Sequence, residues 1–270
     1  MNSLPTAPVD DDGRLAHDIA GDGPVVVLLH GGLLDLTMWD EEFEALAAEY
    51  QVIRYDARGH GRSSSVTRDW SHAEDLYALL THLGVERAHL VGLSLGARTA
   101  LDFTLLHPEL TGSLVLAAPG ISGSPCTDPY VIERTAAQMK AVTRPDAVEG
   151  FVEEYLRMWV DGPYRGPGDV DPELRERLRA AAVENVCLHP SELGTARVRE
   201  VGAHGRLGEI AVPVLTLVGE LDCGDIERNA AAIAAAVPDS RVVRVAGAGH
   251  MVSLEAPSVF LKEVAAFLPG

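Results

Sequence analysis

The chain has 270 residues, of which 47% are hydrophobic and 23% are charged, and its formal net charge is −18 at pH 7. Its length and hydrophobic fraction suffice for one large core, and its charge argues against nucleic acid or anionic membrane surfaces as partners. The three cysteines are widely spaced, no metal-binding motif occurs, and no apolar run reaches the roughly 18 residues of a membrane span. We therefore expect a cytoplasmic protein without a metal or a disulfide framework.

Short apolar runs alternate with helix-patterned segments, which predicts an α/β fold with a mostly parallel, doubly wound sheet. Residues 1–12 contain two prolines and three consecutive aspartates, which predicts a flexible N-terminal tail. Strands are predicted near residues 14–20, 24–30, 51–56, 88–93, 113–118, 212–218 and 241–245. Helices are predicted over residues 40–49, 72–83, 95–107, 225–236 and 255–267.

A glycine-rich loop, His30-Gly31-Gly32-Leu33, follows the apolar strand VVVLL at residues 25–29. In acyl transfer, two backbone N–H groups stabilise the oxyanion, and one of them comes from a loop of this kind. We expect the N–H of Gly32 to be that donor. His30 is predicted to brace the loop through hydrogen bonds rather than to contact a substrate.

A sharp turn with a serine at its apex is predicted where residues 92–96 read GLSLG, between an apolar strand and a helix-patterned stretch. Glycines two residues to either side of Ser94 permit a strained turn and a close approach of strand and helix. The turn places the hydroxyl at a helix N-terminus, where backbone N–H groups favour negative charge. Ser94 is therefore the candidate nucleophile, and the N–H of Leu95 is the second candidate oxyanion donor.

A long segment separates the strand near 113–118 from the strand near 212–218, far longer than one crossover requires. It contains helix-patterned stretches at about 127–142, 145–160 and 172–186. We interpret residues 120–205 as a helical cap inserted into a core formed by residues 13–119 and 206–270. Such a cap excludes water and shapes a substrate pocket.

Two polar residues follow the last two predicted strands and complete a catalytic set. Asp222 comes just after the strand near 212–218, and His250 ends the glycine-rich loop AGAGH after the strand near 241–245. Open α/β sheets collect their catalytic groups at the carboxyl ends of strands, and the order serine, acid, histidine is the one expected for this turn type. Glu220 competes with Asp222 as the acid, and we favour Asp222.

These motifs resemble the α/β-hydrolase fold superfamily over nearly the whole chain. Besides GLSLG, the resemblance rests on VIRYDARGHGRS at residues 52–63, MWD at 38–40, and AGAGH at 246–250 followed by EAP at 255–257. Within the superfamily the chain is similar to small cytosolic serine esterases and lactonases, including 3-oxoadipate enol-lactonase. The resemblance implies a Ser94–Asp222–His250 triad, no cofactor, and a small-molecule ester or lactone as substrate. The turn at residues 58–61 is interpreted as scaffold.

Departures from neighbouring branches narrow this interpretation. Dehalogenases and epoxide hydrolases of this fold carry aspartate where this chain has Ser94. Proline iminopeptidases typically show the pattern His-Gly-Gly-Pro-Gly, and in this chain Leu33-Leu34 replaces its Pro-Gly. The Gly-Pro-Gly often found in carbon–carbon bond hydrolases is missing from the same loop. Two alternatives remain open. One is a cofactor-free haloperoxidase or perhydrolase that uses the same triad, and the other is a small-molecule-binding or non-hydrolytic biosynthetic member of the fold.

Candidate pocket residues come from the oxyanion loop and the predicted cap. Leu33 and Trp159 are the candidates for substrate contact, and Arg98 is predicted to be a surface or interface residue. Other cap side chains that could line a pocket are Tyr130, Met139, Tyr155 and Met158, although their helical spacing favours packing between cap and core for each of them. The arginines that could bind a substrate carboxylate are Arg134, Arg144 and Arg157, although exposed helix faces routinely carry such arginines. The sequence does not identify the substrate or the oligomeric state.

Overall fold

An eight-stranded sheet crosses the molecule in the computed structural model, which describes residues 4–10, 13–190 and 197–269. The strands are β1 (Thr6–Pro8), β2 (Arg14–Ala20), β3 (Val25–Leu29), β4 (Gln51–Tyr55), β5 (Ala88–Leu93), β6 (Thr111–Ala117), β7 (Val214–Gly219) and β8 (Ser240–Val245). Their order is β1-β2-β4-β3-β5-β6-β7-β8. The β1–β2 and β2–β4 pairs are antiparallel, and all other pairs are parallel. The predicted mostly parallel α/β sheet is therefore confirmed.

The edge strand β1 lies where the sequence predicted a flexible tail. Thr6–Pro8 pairs with β2, and Ala7 is fully buried beneath the sheet edge. Pro8 fits at the end of an edge strand because no further strand requires its missing N–H. The tail prediction for residues 1–12 is thus wrong for residues 6–8, whereas residues 1–3 and 11–12 lie outside the described part of the chain.

Helices cover both faces of the sheet, as the alternating pattern predicted. They are α1 (Asp40–Leu46), α2 (His72–His82), α3 (Leu95–Leu106), α4 (Pro129–Ala141), α5 (Ala147–Leu156), α6 (Pro172–Leu188), α7 (Gly224–Ala236), α8 (Val252–Glu255) and α9 (Pro257–Phe267). One hydrophobic core includes side chains of α1 and α9, and the other includes those of α2 and α3. No helix within the described ranges is both long and apolar enough to cross a membrane.

The segment between β6 and β7 forms the helices α4, α5 and α6, close to the predicted bounds. A π-helical turn, Arg157–Asp161, continues directly from α5. Buried side chains of this segment, including Val152 and Leu178, belong to the core that also contains α1 and α9. The inserted helices are therefore packed onto the sheet layer by apolar contact.

The loop after β4 anchors the inserted segment. Gly61 donates its backbone N–H to Asn185 Oδ1 at 3.0 Å, and its carbonyl oxygen accepts from His189 Nε2 at 3.0 Å. The loop is itself fixed by the buried Arg58 guanidinium, which donates two hydrogen bonds to the Asp75 carboxylate at 2.6 and 2.8 Å. These contacts give residues 58–61 the structural role that the sequence predicted.

Glu42 on α1 is a buried carboxyl group, only 1% exposed, and its Oε1 has no hydrogen-bond partner among the described residues. Burial raises the pKa of Glu42 from 4.5 to about 7. The folded protein therefore holds this proton more tightly than the unfolded chain does. Its contribution is most favourable below pH 4.5 and is lost as the pH rises through 7.

We expect Glu42→Gln to stabilise the protein at pH 8 by up to about 3 kcal/mol more than at pH 5, since one pKa unit corresponds to about 1.4 kcal/mol. Urea unfolding of both proteins at the two pH values measures this difference. The exposed neighbour Glu41 provides the matched control, Glu41→Gln. A Glu42→Gln effect that is independent of pH would contradict the assignment.

Candidate active site

Ser94 lies in the strained turn between β5 and α3. Its φ is 52° and its ψ is −102°, a backbone conformation that L-residues rarely adopt. A Cβ added to Gly92 would lie 2.4 Å from the Gly96 carbonyl carbon, and one added to Gly96 would lie 2.0 Å from the Leu29 carbonyl oxygen. Only glycine fits at both positions, so the sequence GLSLG folds as a tight elbow that presents the serine hydroxyl.

His250 and Asp222 form a buried hydrogen-bonded pair. His250 Nδ1 lies 2.9 Å from Asp222 Oδ2 and 3.2 Å from Oδ1, and the residues are 3% and 8% exposed. Asp222 Oδ1 also accepts the backbone N–H of Cys223 at 2.7 Å, which fixes the plane of the carboxylate. With its proton on Nδ1, the imidazole presents an unprotonated Nε2 that accepts hydrogen bonds.

Backbone contacts hold together the two loops that carry this pair. Leu221 donates its N–H to the Ala248 carbonyl at 2.9 Å, and a Cβ added to Gly219 would lie 2.2 Å from the Gly249 carbonyl oxygen. Glu220, the competing acid, is exposed, and its backbone N–H donates to the Val245 carbonyl of β8 at 3.1 Å. The structure thus places Asp222, rather than Glu220, against His250.

The loop after β3 is held by His30. Its Nε2 accepts the Ala57 N–H at 2.9 Å, so Nδ1 carries the proton and donates to the Gly31 carbonyl at 2.7 Å. The Gly31 N–H donates to the Met38 sulfur, whereas the N–H of Gly32 has no acceptor among the described residues. A Cβ added to Gly32 would meet nothing within 4 Å, because this residue faces open space.

Tyr155 of α5 joins the inserted segment to this loop. Its hydroxyl donates a 2.9 Å hydrogen bond to the Gly32 carbonyl, and burial raises the pKa of Tyr155 so that the phenol stays protonated. Leu33, predicted to contact substrate, lines neither of the two cavities next to Ser94. Its φ of 56° reverses the chain, and its side chain packs against the hydrophobic core.

Two adjoining cavities flank Ser94. Lobe A, about 190 Å³, is lined by Gly31, Gly32, Leu93, Ser94, Leu95, Arg98, Gly120, Tyr155, Trp159, His250 and Met251. Lobe B, about 210 Å³, shares Ser94, Arg98, Gly120 and Trp159 and extends past Ile121, Val131 and Ile226. The Trp159 ring centroid lies 4.5 Å from that of His250. The structure therefore brings Ser94, Leu95, Gly32, Trp159 and His250 to one cavity, with Asp222 behind His250.

Arg98 is a surface residue, as predicted, with a side chain that is 40% exposed, and it also lines the junction of the two lobes, which the sequence analysis did not foresee. Arg98 comes four residues after Ser94, which is one helical turn, so it lies on the same side of α3 as Ser94. This spacing could have been read from the sequence. Arg98 NH1 donates to Glu200 Oε1 at 2.9 Å, and its buried Nε has no hydrogen-bond partner among the described residues.

The cap arginines proposed for a substrate carboxylate lie outside the two lobes. Arg134 binds Glu154, Arg144 binds Asp146, and Arg157 approaches Asp161. Of the other cap candidates, Met139 is 58% exposed, Met158 is buried in the core, and the Tyr130 hydroxyl donates to the Arg157 carbonyl. None of these residues lines either lobe, so the structure agrees with the favoured interpretation of packing or an exposed helix face rather than with a pocket role.

Cys223, next to Asp222 in the chain, is fully buried. Burial and the neighbouring carboxylate raise the pKa of the Cys223 thiol to about 12, which leaves it protonated and unreactive near neutral pH. Within the described ranges, no three His, Cys, Asp or Glu side chains are grouped to hold a metal ion.

Residues 24–257 match the sequence model of the alpha/beta hydrolase fold family. The chain belongs to this family. Carboxylesterase YbfK of Bacillus subtilis (strain 168) is 30% identical over 260 residues, which cover 92% of this chain and 81% of that protein. The 2-hydroxy-6-oxo-6-phenylhexa-2,4-dienoate hydrolase of Burkholderia cepacia is 34% identical, but the alignment covers only 49% of each protein.

The fold also agrees with a solved structure of this α/β-hydrolase class. The enol-lactonase from Burkholderia xenovorans LB400 superposes with a TM-score of 0.75 over 97% of this chain and 99% of that one, at 23% identity. Similarity at that identity supports the fold alone. Together with the family match and the similarity to a carboxylesterase, it identifies the chain as a hydrolase with an α/β-hydrolase fold.

Proposed function

We propose that this hydrolase cleaves a small-molecule carboxylic ester or lactone through an acyl-enzyme on Ser94. The observation that carries the proposal is the buried His250–Asp222 hydrogen bond at the cavity into which Ser94 is presented on a strained turn. A serine hydroxyl is a weak nucleophile and needs a base that is oriented by a third group. His250 supplies that base, and Asp222 orients it.

The first step forms an ester of Ser94. His250 Nε2 takes the hydroxyl proton as Ser94 Oγ attacks the substrate carbonyl, and the imidazolium is stabilised by Asp222. The N–H groups of Gly32 and Leu95 face the developing oxyanion, and one such donor contributes about 2.7–4 kcal/mol to the transition state. His250 then returns the proton to the leaving alkoxide, which departs as an alcohol or stays attached in a lactone.

Water completes the cycle. His250 removes a proton from water, the hydroxide attacks the acyl carbon, and collapse of the second tetrahedral intermediate frees the carboxylic acid and restores the Ser94 hydroxyl. The reaction consumes one water and needs no group besides the residues of this chain. We further propose that residues 120–205 act as a cap, because Tyr155 and Trp159 of this segment line the cavity beside Ser94, where a cap would limit the access of bulk water.

The proposed substrate has a moderate-sized group on each side of its carbonyl. Lobes A and B adjoin at Ser94 and measure about 190 and 210 Å³, which gives space for an acyl part and an alcohol part. The similarity to a carboxylesterase supports an ester, and a lactone is an internal ester that undergoes the same attack by Ser94. Long acyl chains exceed either lobe, so short and medium esters are the expected substrates.

A fluorophosphonate probe tests this proposal directly, because it forms a covalent bond only with an activated serine. Trypsin cuts after Arg87 and Arg98, and the resulting peptide AHLVGLSLGAR contains Ser94 as its only serine. We expect the probe mass on that peptide, together with turnover in a panel of p-nitrophenyl esters and small lactones. An unlabelled peptide and no turnover would overturn the proposal in favour of a binding role.

A further inference from the structure

Arg165, in the loop after the π-helical turn, binds three different partners. Its Nε donates to the Asp161 carbonyl at 3.0 Å, and its NH2 donates to the Val160 carbonyl at 2.9 Å. Its NH1 lies 2.5 Å from Glu255 Oε2 in an ion pair whose side chains are only 10% and 8% exposed. One guanidinium therefore fixes both the end of the turn and a carboxylate from the C-terminal part of the chain.

Glu255 transmits this contact to the loop that carries His250. Its Oε2 accepts the backbone N–H of Gly249, the residue before His250, at 3.1 Å. A Cβ added to Gly249 would lie 2.1 Å from the Arg165 NH2 atom, so the guanidinium packs closely against the loop backbone and would have to move to admit a larger residue. Glycine at the fourth position of the loop AGAGH therefore lets the Arg165–Glu255 pair lie directly against the loop.

The turn that Arg165 holds also carries Trp159, whose ring lies against His250. The two ring centroids are 4.5 Å apart, with an angle of 38° between the planes. Val160 and Asp161, the acceptors of Arg165, immediately follow Trp159 in the chain. The position of the indole relative to the imidazole is therefore set from both sides by the same ion pair.

We propose that Arg165 is a positioning residue that, together with Glu255, fixes the position of the His250 imidazole relative to the Trp159 indole. Its planar fork suits this role because three donor nitrogens point to fixed acceptors on two chain segments. Arg165 does not line lobe A or lobe B, so it acts through the other residues rather than on the substrate. This inference rests on the proposed catalytic role of His250.

The chain offers a matched control in Arg175 of α6. Arg175 binds the Asp161 carboxylate at 2.8 and 3.0 Å and Glu153 at 2.9 Å, and its side chain is 12% exposed. It is therefore as buried as Arg165 and holds the same turn, but within the described part of the chain it hydrogen-bonds neither Glu255 nor the His250 loop. Replacing each arginine with methionine separates positioning of the loop from general support of the turn.

Steady-state kinetics on the best substrate of the ester panel tests the proposal. We expect Arg165→Met to lower kcat tenfold to a hundredfold, because a displacement of about 1 Å at a catalytic group costs up to about a hundredfold. KM should change by less than about threefold, since no substrate contact is removed. Arg165→Lys should restore part of the loss, because an ammonium group satisfies only some of these acceptors.

Arg175→Met is expected to keep kcat within about threefold of the parent protein, even where it lowers the thermal midpoint as much as Arg165→Met does. Equal losses of kcat in the two variants, or an unchanged kcat in Arg165→Met, would overturn the proposal. If Arg165→Met does not fold, the double variant with Glu255→Gln removes both buried charges and is expected to show the same loss of kcat.

Proton NMR gives a readout that needs no turnover. The His250 Nδ1 proton in its bond to Asp222 is expected to resonate downfield, and the signal is assigned by its disappearance in Asp222→Asn. It should shift or broaden in Arg165→Met and stay unchanged in Arg175→Met. An NMR effect in a protein without esterase turnover would refute only the proposed function. An active enzyme with identical spectra in both variants would refute only the role of Arg165.

Discussion

Ser94→Ala is expected to lower kcat for the best ester substrate by about a millionfold, to the level of slow background hydrolysis. The acyl-enzyme cannot form without Oγ, and the remaining oxyanion donors only stabilise attack by water. The fold should persist, because alanine and serine meet the same steric cost at a φ of 52°. Stopped assays on purified protein measure the loss, and the thermal midpoint shows that the variant is folded.

Ser240→Ala controls for the removal of a serine hydroxyl elsewhere. Ser240, on β8, is half-buried like Ser94, and its hydroxyl donates to the Val237 carbonyl at 2.8 Å, away from both lobes. This variant should keep full activity and full probe labelling. Retention of more than about 1% of kcat in Ser94→Ala would mean that Ser94 is not the nucleophile.

The elements that position the proposed triad could be predicted because each depends on local pattern. Apolar runs of five to seven residues predicted the strands, and parallel strands necessarily bring their carboxyl ends to one edge. Ser94 and Asp222 each follow such a run, and His250 follows the alternating strand RVVRV at 241–245, so their proximity needed only the strand order. The elbow was also predictable, because glycine at 92 and 96 meets a steric requirement that no other residue satisfies.

The errors concern contacts that depend on distant parts of the chain. β1 is three residues long, and its pairing is set by β2 rather than by its own composition. A positive φ turns Leu33 toward the core, and nothing in the sequence predicts that conformation, because leucine rarely adopts it. Arg98 has the helix spacing of a site residue, but its exposure to the cavity depends on where the inserted helices pack. The pairing of Arg165 with Glu255 joins residues 90 positions apart, and no local pattern encodes it.

Asp222→Asn is expected to lower kcat by about ten-thousandfold while leaving the protein folded. The reason lies in the hydrogen bonds of the carboxylate. The Cys223 N–H donates to Oδ1 at 2.7 Å, so the carbonyl oxygen of the new amide will occupy that position. The amide nitrogen then faces His250 Nδ1, 2.9 Å away, as a donor. Nδ1 must accept this bond, which moves the imidazole proton to Nε2 and leaves no base for Ser94.

Glu220→Gln is the matched control, because Glu220 is the competing acid, two residues earlier and exposed. It should leave kcat unchanged, and its rate of fluorophosphonate labelling should equal that of the parent protein. Labelling of Asp222→Asn should slow in proportion to kcat, since both reactions need deprotonation of the same hydroxyl. The opposite pattern, loss in Glu220→Gln and full activity in Asp222→Asn, would reassign the acid. Because Asp222 is the residue hydrogen-bonded to His250, only a rearrangement of the strand-end loops could produce that result.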